Sequence, residues 1–264
     1  MGTRTTAVAA AMLIAASVCS AQLHLPPPIA AHESGVQKIM FIESGEVVYN
    51  FRWSLDRFTK DGRTFARYEG HGDNNTKGSE RIEWKEEALY EITPQGLKTV
   101  YWKKQSSGAE QMTWLLEYDW KARKVRYSWS DALTGKKEEK VLEFEEGAIA
   151  GDSLNFNLRG FPFEKGEGYR YRAQIIMSNG TLLNGYVIHR GEEKLKTAFG
   201  EIDAYKLELK PTGLVGVVAP KMYIWYTKSE PHIWLRFDGK DADLWRPRTK
   251  NVLLKYEPSE WIKP

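Results

Sequence analysis

Cysteine is nearly absent from this sequence, with Cys19 the only one in 264 residues. Cys19 lies within an N-terminal segment that has the features of an export signal, so we expect the mature chain to carry no thiol. Without thiols there are no disulfides, no cysteine-based zinc sites and no thiol catalysis. The five histidines are also isolated, and no two have the i, i+2 or i, i+4 spacing of metal ligands. We therefore predict no metal site and no cofactor.

Neither sign of charge is in large excess. Lys and Arg total 38 against 35 Asp and Glu, and the two signs are interleaved along most of the chain. Nucleic-acid-binding domains carry a clustered basic surface, so this balance indicates no nucleic-acid partner. Long apolar runs are also missing after residue 21, so we predict no transmembrane span in the mature chain.

The first 21 residues have the three parts of a secretory signal peptide. Arg4 supplies a positive start, residues 7–18 are apolar, and Ser20 and Ala21 are small residues suited to cleavage. Cleavage near Ala21 would deliver the chain to the periplasm or outside the cell. Lipid modification of Cys19, giving an outer-membrane lipoprotein, is the alternative, and the bulky Val18 before it argues against this. We expect residues 22–38 to form a linker and residues 39–264 a single β-rich domain.

Alternating apolar and polar residues are the strongest structural signal in the chain. In residues 112–120 one set of alternate positions is entirely apolar or aromatic: Met112, Trp114, Leu116, Tyr118 and Trp120. This alternation is typical of a strand with one buried face, and similar short segments recur with turn residues between them. The pattern predicts an all-β fold, either a large curved antiparallel sheet or an incomplete β-barrel, with one or two short helices. Residues 152–158 are the best helix candidate, with Asp152 or Ser153 as the N-terminal cap.

Several motifs between residues 152 and 237 occur in the order found in one protein family. They are a short helical segment at 152–160, Phe163-Glu164-Lys165-Gly166 before Tyr169, the connector Ala198-Phe199-Gly200-Glu201, and the hairpin turn Glu230-Pro231-His232. On these motifs the chain resembles a bacterial cell-envelope family, domain of unknown function 3108. The resemblance implies an exported β-rich protein without an established activity. It also implies a sheet similar to those of periplasmic lipoprotein carriers, which curl around a helix and hold acyl chains.

No arrangement of residues typical of an active site is present. The sequence has no Gly-x-Ser-x-Gly motif. The Gly-x-Gly at residues 166–168 precedes a strand instead of opening a helix, which excludes the dinucleotide-binding motif there. Carboxylates are so numerous that no pair can be selected as the acid and nucleophile of a glycosidase. We therefore predict a protein that is not an enzyme and name no catalytic residues, with a glycan hydrolase as the weaker alternative.

One loop-like segment, residues 213–219, is unusually apolar. Loops run over the surface and are generally polar, so exposed apolar side chains here would need a ligand or a partner. We predict a binding site formed by this segment and the strand after it: Leu214, Val215, Val217, Val218, Tyr223 and Trp225. A buried strand end is the alternative interpretation of the segment.

The predicted function follows from this segment and from the aromatic strand faces. We expect binding of an apolar ligand, which would be a lipid or the acyl chain of a lipoprotein. The alternative is a structural or scaffolding component of envelope assembly that contacts another envelope protein.

Overall fold

The computed structural model describes residues 26–213, 221–239 and 247–259, and within them fifteen strands form one sheet. The strands are β1 (His32–Phe41), β2 (Val47–Lys60), β3 (Arg63–Asp73), β4 (Ile82–Thr93), β5 (Gly96–Gly108), β6 (Met112–Asp119), β7 (Lys124–Asp131), β8 (Lys137–Glu143), β9 (Ile149–Ala150), β10 (Arg170–Ile176), β11 (Leu182–Thr197), β12 (Gly200–Pro211), β13 (Met222–Thr227), β14 (Trp234–Gly239) and β15 (Thr249–Pro258). The predicted all-β class is confirmed.

The order of the strands divides the sheet into two meanders. From β1 the neighbours run in sequence to β8, and from β15 they run in reverse sequence to β9. The first and last strands, β1 and β15, pair with each other and join the two meanders. Neighbouring strands are antiparallel, except that β9 lies parallel to β10. The sequence-local hairpins therefore build most of the sheet, and one long-range pairing unites it.

The two edges of the sheet, β8 and β9, are not paired with each other in the described structure, but residues beside them are in contact. Gly180, in the turn after β10, lies so close to β7 that a Cβ atom there would be 2.6 Å from Cγ of Tyr127. The Glu145 amide, just after β8, donates a hydrogen bond of 2.8 Å to Oε1 of Gln174 on β10. The sheet thus curls into an open, incomplete barrel, as the strand pattern predicted.

A helical segment lies against the inner face of the curled sheet. It consists of a 3-10 turn (Gly151–Ser153), the helix α1 (Leu154–Asn157) and a second 3-10 turn (Leu158–Gly160). Phe156 packs into the core of the β1–β8 half, and Leu158 packs into the core of the other half. The segment therefore fills one end of the barrel and joins the two hydrophobic cores.

The predicted cap of this helix is wrong. Ser153 is the N-cap residue, but its backbone (φ −99°, ψ 3°) is not extended, and no cap hydrogen bond is made by a side chain. A capping side chain normally projects from an extended residue, and the preceding 3-10 turn removes that geometry. Ser153 Oγ instead donates to the Ala150 carbonyl, and Asp152 accepts hydrogen bonds from the sheet.

The sheet also begins earlier than the expected linker boundary at residue 38. The first strand starts at His32, and Ile29 and Ala30 are already buried. The inward positions of β1 include Glu33 and Gly35 instead of large apolar residues. Residues 32–38 therefore show no apolar alternation, which is why the sequence pattern placed them outside the domain.

Candidate ligand-binding cleft

An open cleft of about 650 Å³ occupies the part of the inner face that the helical segment leaves uncovered. Ligand pockets are generally ~300–1,000 Å³, so the cleft has the size of a ligand site. The residues around it belong to both meanders and to the helical segment. They include Gln37, Tyr49, Phe51, Trp53, Trp84, Glu86, Lys104, Trp114, Asp152, Asn155, Arg159, Trp234, Phe237 and Asn251.

The register of the strands arranges the residues between the core and the cleft in three cross-strand rows. The row that packs into the core contains Leu55, Tyr68, Ala88, Trp102 and Leu116. The middle row contains Trp53, Gly70, Glu86, Lys104 and Trp114. The outermost row contains Phe51, Gly72, Trp84 and Ser106. The packed row is buried and its Tyr68 also borders the cleft, while the other two rows supply further cleft residues, so the core continues directly into the cleft wall.

Glycines in these rows let aromatic rings lie close to the neighbouring strands. A Cβ atom on Gly35 would lie 2.7 Å from the indole of Trp53, and one on Gly72 would lie 2.2 Å from the indole of Trp84. Phe51 stacks on Trp84 with ring centres 6.2 Å apart and an angle of 18° between the planes. Rings that cover strand glycines recover the packing that a missing side chain loses. The result is a broad aromatic wall along one side of the cleft.

One ion pair interrupts the aromatic wall. Glu86 and Lys104 are direct cross-strand partners on β4 and β5, and Lys104 Nζ lies 3.8 Å from Oε1 of Glu86. The same ammonium lies 4.7 Å from the ring centre of Trp84 and 5.6 Å from that of Trp114. The side chains are 17% (Glu86) and 29% (Lys104) exposed. Burial raises the pKa of Glu86, and the charge of Lys104 offsets this only in part.

A second carboxyl group, Asp152, lies where the helical segment meets the sheet. Thr99 Oγ1 donates to it over 3.0 Å and the Tyr118 hydroxyl over 3.2 Å. Burial raises the pKa of Asp152 to about 6, although these hydrogen bonds favour the charged form. Asp152 therefore changes charge near neutral pH, which an exposed aspartate does not do.

A buried ion pair holds the helical segment against β1. Arg159 donates two hydrogen bonds to Glu33, of 3.0 and 2.7 Å, and the Tyr256 hydroxyl donates a third of 2.8 Å. The two charged side chains are 2% and 0% exposed. Burial lowers the pKa of Arg159, but the charge of Glu33 more than offsets this and the net shift is upward. A two-pronged contact of this kind fixes orientation as well as distance.

The structure places the sequence-predicted site residues in two groups. Leu214, Val215, Val217 and Val218 lie outside the described residues, so their role stays a prediction. Tyr223 and Trp225 lie on the outer face of β13, because the residues between and after them, Ile224 and Tyr226, belong to the inner core. Within the described structure, these two aromatic residues are not part of the cleft wall.

Trp225 contacts charged side chains on the outer face of the sheet. Its Nε1 donates a hydrogen bond of 2.6 Å to Glu193, and the cations of Lys206 and Arg236 lie 5.1 and 4.8 Å from its ring centre. These contacts account for Trp225 as part of a small outer packing cluster.

Sequence reasoning missed the residues that border the cleft, above all Glu86, Lys104 and Asp152. One signal was available, because Glu86 falls in phase with Trp84, Ala88 and Tyr90 of the same strand. A charged residue at an inward position is costly unless it has a partner or a role. Identifying its partner required the pairing of β4 with β5.

No group of three or more His, Cys, Asp or Glu side chains in the described ranges could hold a metal ion. Among the described helices, none is long and apolar enough to cross a membrane.

An open sheet curled around a helical segment and a cleft defines a β-barrel-like protein, and a solved structure shares this fold. A β-barrel-like protein of domain of unknown function DUF1849 from Brucella abortus matches with a TM-score of 0.52 and 7% identity, over 88% of this chain and 99% of that one. A candidate lipoprotein from Parabacteroides distasonis matches with a TM-score of 0.41 and 9% identity, over 89% and 99%. A candidate exported protein from Bacteroides fragilis matches with a TM-score of 0.38 and 7% identity, over 89% and 99%. At these identities the first match shows a shared fold alone.

The particular family is identified by sequence. The model of the family described as protein of unknown function DUF3108 matches residues 38–243, and the chain belongs to this family. This confirms the resemblance seen in the motifs of the second half. No curated protein matches the sequence.

Proposed function

We propose that this protein is an exported, non-enzymatic binding protein of the cell envelope whose cleft holds an amphiphilic molecule. The apolar part of that molecule would be an acyl chain of a lipid or a lipoprotein. The single observation that carries the proposal is the open cleft with its aromatic wall. An open concave site that combines an apolar wall with a few convergent polar groups is typical of ligand pockets.

The energetics of an acyl chain suit such a wall. Each methylene group removed from water contributes about 0.8 kcal/mol, so about ten of them supply roughly 8 kcal/mol before the cost of immobilising the chain. The polar and charged groups of the cleft would then orient the head group. This division of roles, an apolar body with a few placed polar contacts, is the usual design of a ligand pocket.

The cellular location in this proposal rests on the N-terminal sequence. Arg4, the apolar residues 7–18 and the small Ala21 have the order of a secretory signal. An exported protein meets the lipids and lipoproteins of the envelope, which are the ligands proposed for the cleft.

The experiment is a titration of the purified mature protein with dodecanoate, followed by calorimetry. Asn155 borders the cleft from α1, so Asn155→Trp should fill it and abolish binding. Thr113→Trp adds the same ring to β6 at a position that alternates with the cleft residues Met112 and Trp114, and should leave binding intact. Equal binding by all three proteins would place the ligand elsewhere and contradict the proposal.

A second candidate function is favoured by one observation. Burial raises the pKa of two carboxyl groups that border the cleft, Glu86 and Asp152. A glycan hydrolase uses one protonated and one ionised carboxyl group. Release of sugars from envelope glycans by the wild type, lost in Glu86→Gln, would replace binding with hydrolysis as the function.

A further inference from the structure

Among the described residues, the contacts that hold Lys104 in the cleft leave its hydrogen-bond donors unused. Its ammonium lies over two indole rings, those of Trp84 and Trp114, and 3.8 Å from the nearest oxygen of its ion-pair partner Glu86. Within the described ranges, no oxygen accepts a hydrogen bond from Nζ at 3.5 Å or less. A lysine ammonium has three donors and no acceptor, so all three remain available to the cleft.

A purely structural role does not explain a lysine at this position. Its row neighbour Trp114 and the next inward residue on the same strand, Trp102, are aromatic. Partly burying an ion pair costs desolvation energy, which apolar residues of similar size would avoid. The two indoles instead hold the charge at a defined point of the cleft wall by cation–π attraction.

We propose that Lys104 is the subsite for an anionic oxygen head group, a carboxylate or a phosphate, on the amphiphile that the cleft binds. The inference rests on the proposed binding function and specifies the chemical class of its ligand. The ammonium donates to the head-group oxygens, and the apolar chain lies along the wall formed by Phe51 and Trp84. Charge-assisted hydrogen bonds of this type are about twice as strong as neutral ones.

The protonation state of Glu86 affects how tightly this subsite binds an anion. As an ionised carboxylate it would repel an incoming anion, but its burial makes it easier to protonate than an exposed glutamate. A protonated Glu86 donates a hydrogen bond and no longer opposes the anion. Glu110, the other glutamate bordering the cleft, accepts a hydrogen bond of 3.2 Å from Ser106. Glu86→Gln should therefore bind an anionic amphiphile several-fold more tightly at neutral pH.

The test compares three ligands with one chain length: dodecanoate, dodecyl phosphate and dodecanol. Each is titrated into the wild type, Lys104→Met and Lys103→Met. Lys103 is the matched control because it is the next residue on β5 and does not border the cleft. The wild type and Lys103→Met should prefer the anions to the alcohol by about tenfold or more, the size expected of a charge-assisted contact. Lys104→Met should bind dodecanol normally and lose the preference.

Each outcome decides a specific point. A larger loss for dodecanoate than for dodecyl phosphate supports the subsite and indicates a fatty carboxylate, and the reverse indicates a lipid phosphate. Equal binding of acid and alcohol by the wild type overturns the subsite and leaves the binding function standing. An unchanged preference in Lys104→Met, or loss of dodecanoate binding in Glu86→Gln, also overturns it. Failure of all three ligands to bind the wild type overturns both proposals.

Discussion

At the scale of the residue, Asp152 is an ionisable group at a buried position, where desolvation disfavours its charged form. Burial raises its pKa from 3.8 to about 6 in the folded protein. When folding raises the pKa of a carboxyl group, the folded state favours the protonated form. The contribution of that group to the free energy of unfolding is therefore fully present below the unfolded-state pKa, near pH 4. That contribution declines as pH rises and is lost above the folded pKa, near pH 6. The protein therefore carries an ionised, desolvated carboxylate at neutral pH.

Asp152→Asn should make the protein more stable than the wild type at pH 8, because the amide is never charged. A full shift of two pKa units corresponds to about 3 kcal/mol, and partial access of water from the cleft reduces this to about 1–2 kcal/mol. Urea unfolding at pH 4 and pH 8 measures the difference between variant and wild type, which should grow with pH. Glu139→Gln removes a carboxylate from an exposed strand position and is the control for the loss of one negative charge. A pH-independent difference for Asp152→Asn would contradict the assignment.

Arg159→Met should lower the free energy of unfolding by about 3–5 kcal/mol, because it leaves the buried Glu33 carboxylate without its cation. The double variant Glu33→Gln with Arg159→Met should recover part of this loss. Arg63→Met breaks an exposed pair with Glu91 and should lower the free energy of unfolding much less, because water screens that pair. Denaturant titration of all three variants measures these values. A loss for Arg159→Met no larger than for Arg63→Met would show that the buried pair does not hold the segment.

At the scale of the element, the glycine positions of β3 determine the shape of the cleft wall. Gly72 and Gly70 stand opposite Phe51 and Trp53 on β2, and they leave room for rings that lie across the strand. A strand normally disfavours glycine because it adds flexibility and packs nothing. Here the missing side chains allow aromatic residues of the neighbouring strands to cover β3.

Gly72→Ala should displace the indole of Trp84, because the new Cβ would lie 2.2 Å from it. We expect a loss of about 1–3 kcal/mol in stability from overpacking. We also expect dodecanoate to bind about tenfold more weakly, which corresponds to ~1.4 kcal/mol. Gly185→Ala is the control, since its Cβ would meet the Lys210 carbonyl oxygen at 2.7 Å, away from the cleft. That variant should lose stability and keep its affinity, and a matching loss of affinity in both would contradict the account.

Strand alternation was predictable where the inward residues are large and apolar. The segment 112–120 was assigned to the right face because Trp114, Leu116 and their in-phase neighbours all face the core or the cleft. The same reasoning failed in β1, where the inward residues include Glu33 and Gly35. Their burial depends on Arg159, which is 126 positions away in sequence from Glu33, and on Trp53 of the next strand. Local patterns do not contain such long-range compensation.

At the scale of the whole molecule, the two edges of the sheet meet at a seam formed by turn and side-chain contacts. The turn at Gly180 lies on Tyr127 of β7, while Gln174 of β10 accepts the amide of Glu145. Side-chain and turn contacts close the seam where strand pairing does not. Contacts of this kind are weaker and less cooperative than a hydrogen-bonded ladder, so the seam is the expected region of local opening.

Gly180→Ala tests this role of the seam. Its backbone has φ +68°, and Gly135, with φ +70°, is a matched control, since no described residue other than its chain neighbours has an atom within 4 Å of an added Cβ there. Alanine in this conformation costs about 1–2 kcal/mol at either site. Only at position 180 does the Cβ also clash with Tyr127, which should add about 1–3 kcal/mol and increase amide exchange in β8 and β10. Equal losses of stability in Gly180→Ala and Gly135→Ala would show that the seam contact does not contribute to the stability of the fold.

The cleft itself could not be predicted from the sequence, although the fold class could. Glu86 and Lys104 meet through one hairpin, but the opposite wall, with Trp234 and Asn251, comes from strands more than 100 positions away. The sequence predicts the binding site at residues 213–219 instead, because the composition of that segment is locally unusual. A concave surface arises from curvature and from long-range pairing, and neither leaves a local signature.

The most direct test of ligand binding in the cleft is native mass spectrometry of the mature protein purified from the envelope of its own host. The account predicts a retained amphiphile at one molecule per chain, identified as a lipid or acyl species after denaturation. Asn155→Trp, purified in the same way, should carry none. A wild-type protein that is recovered free of any amphiphile, or a variant that retains the same molecule, would contradict the claim that the cleft is the binding site.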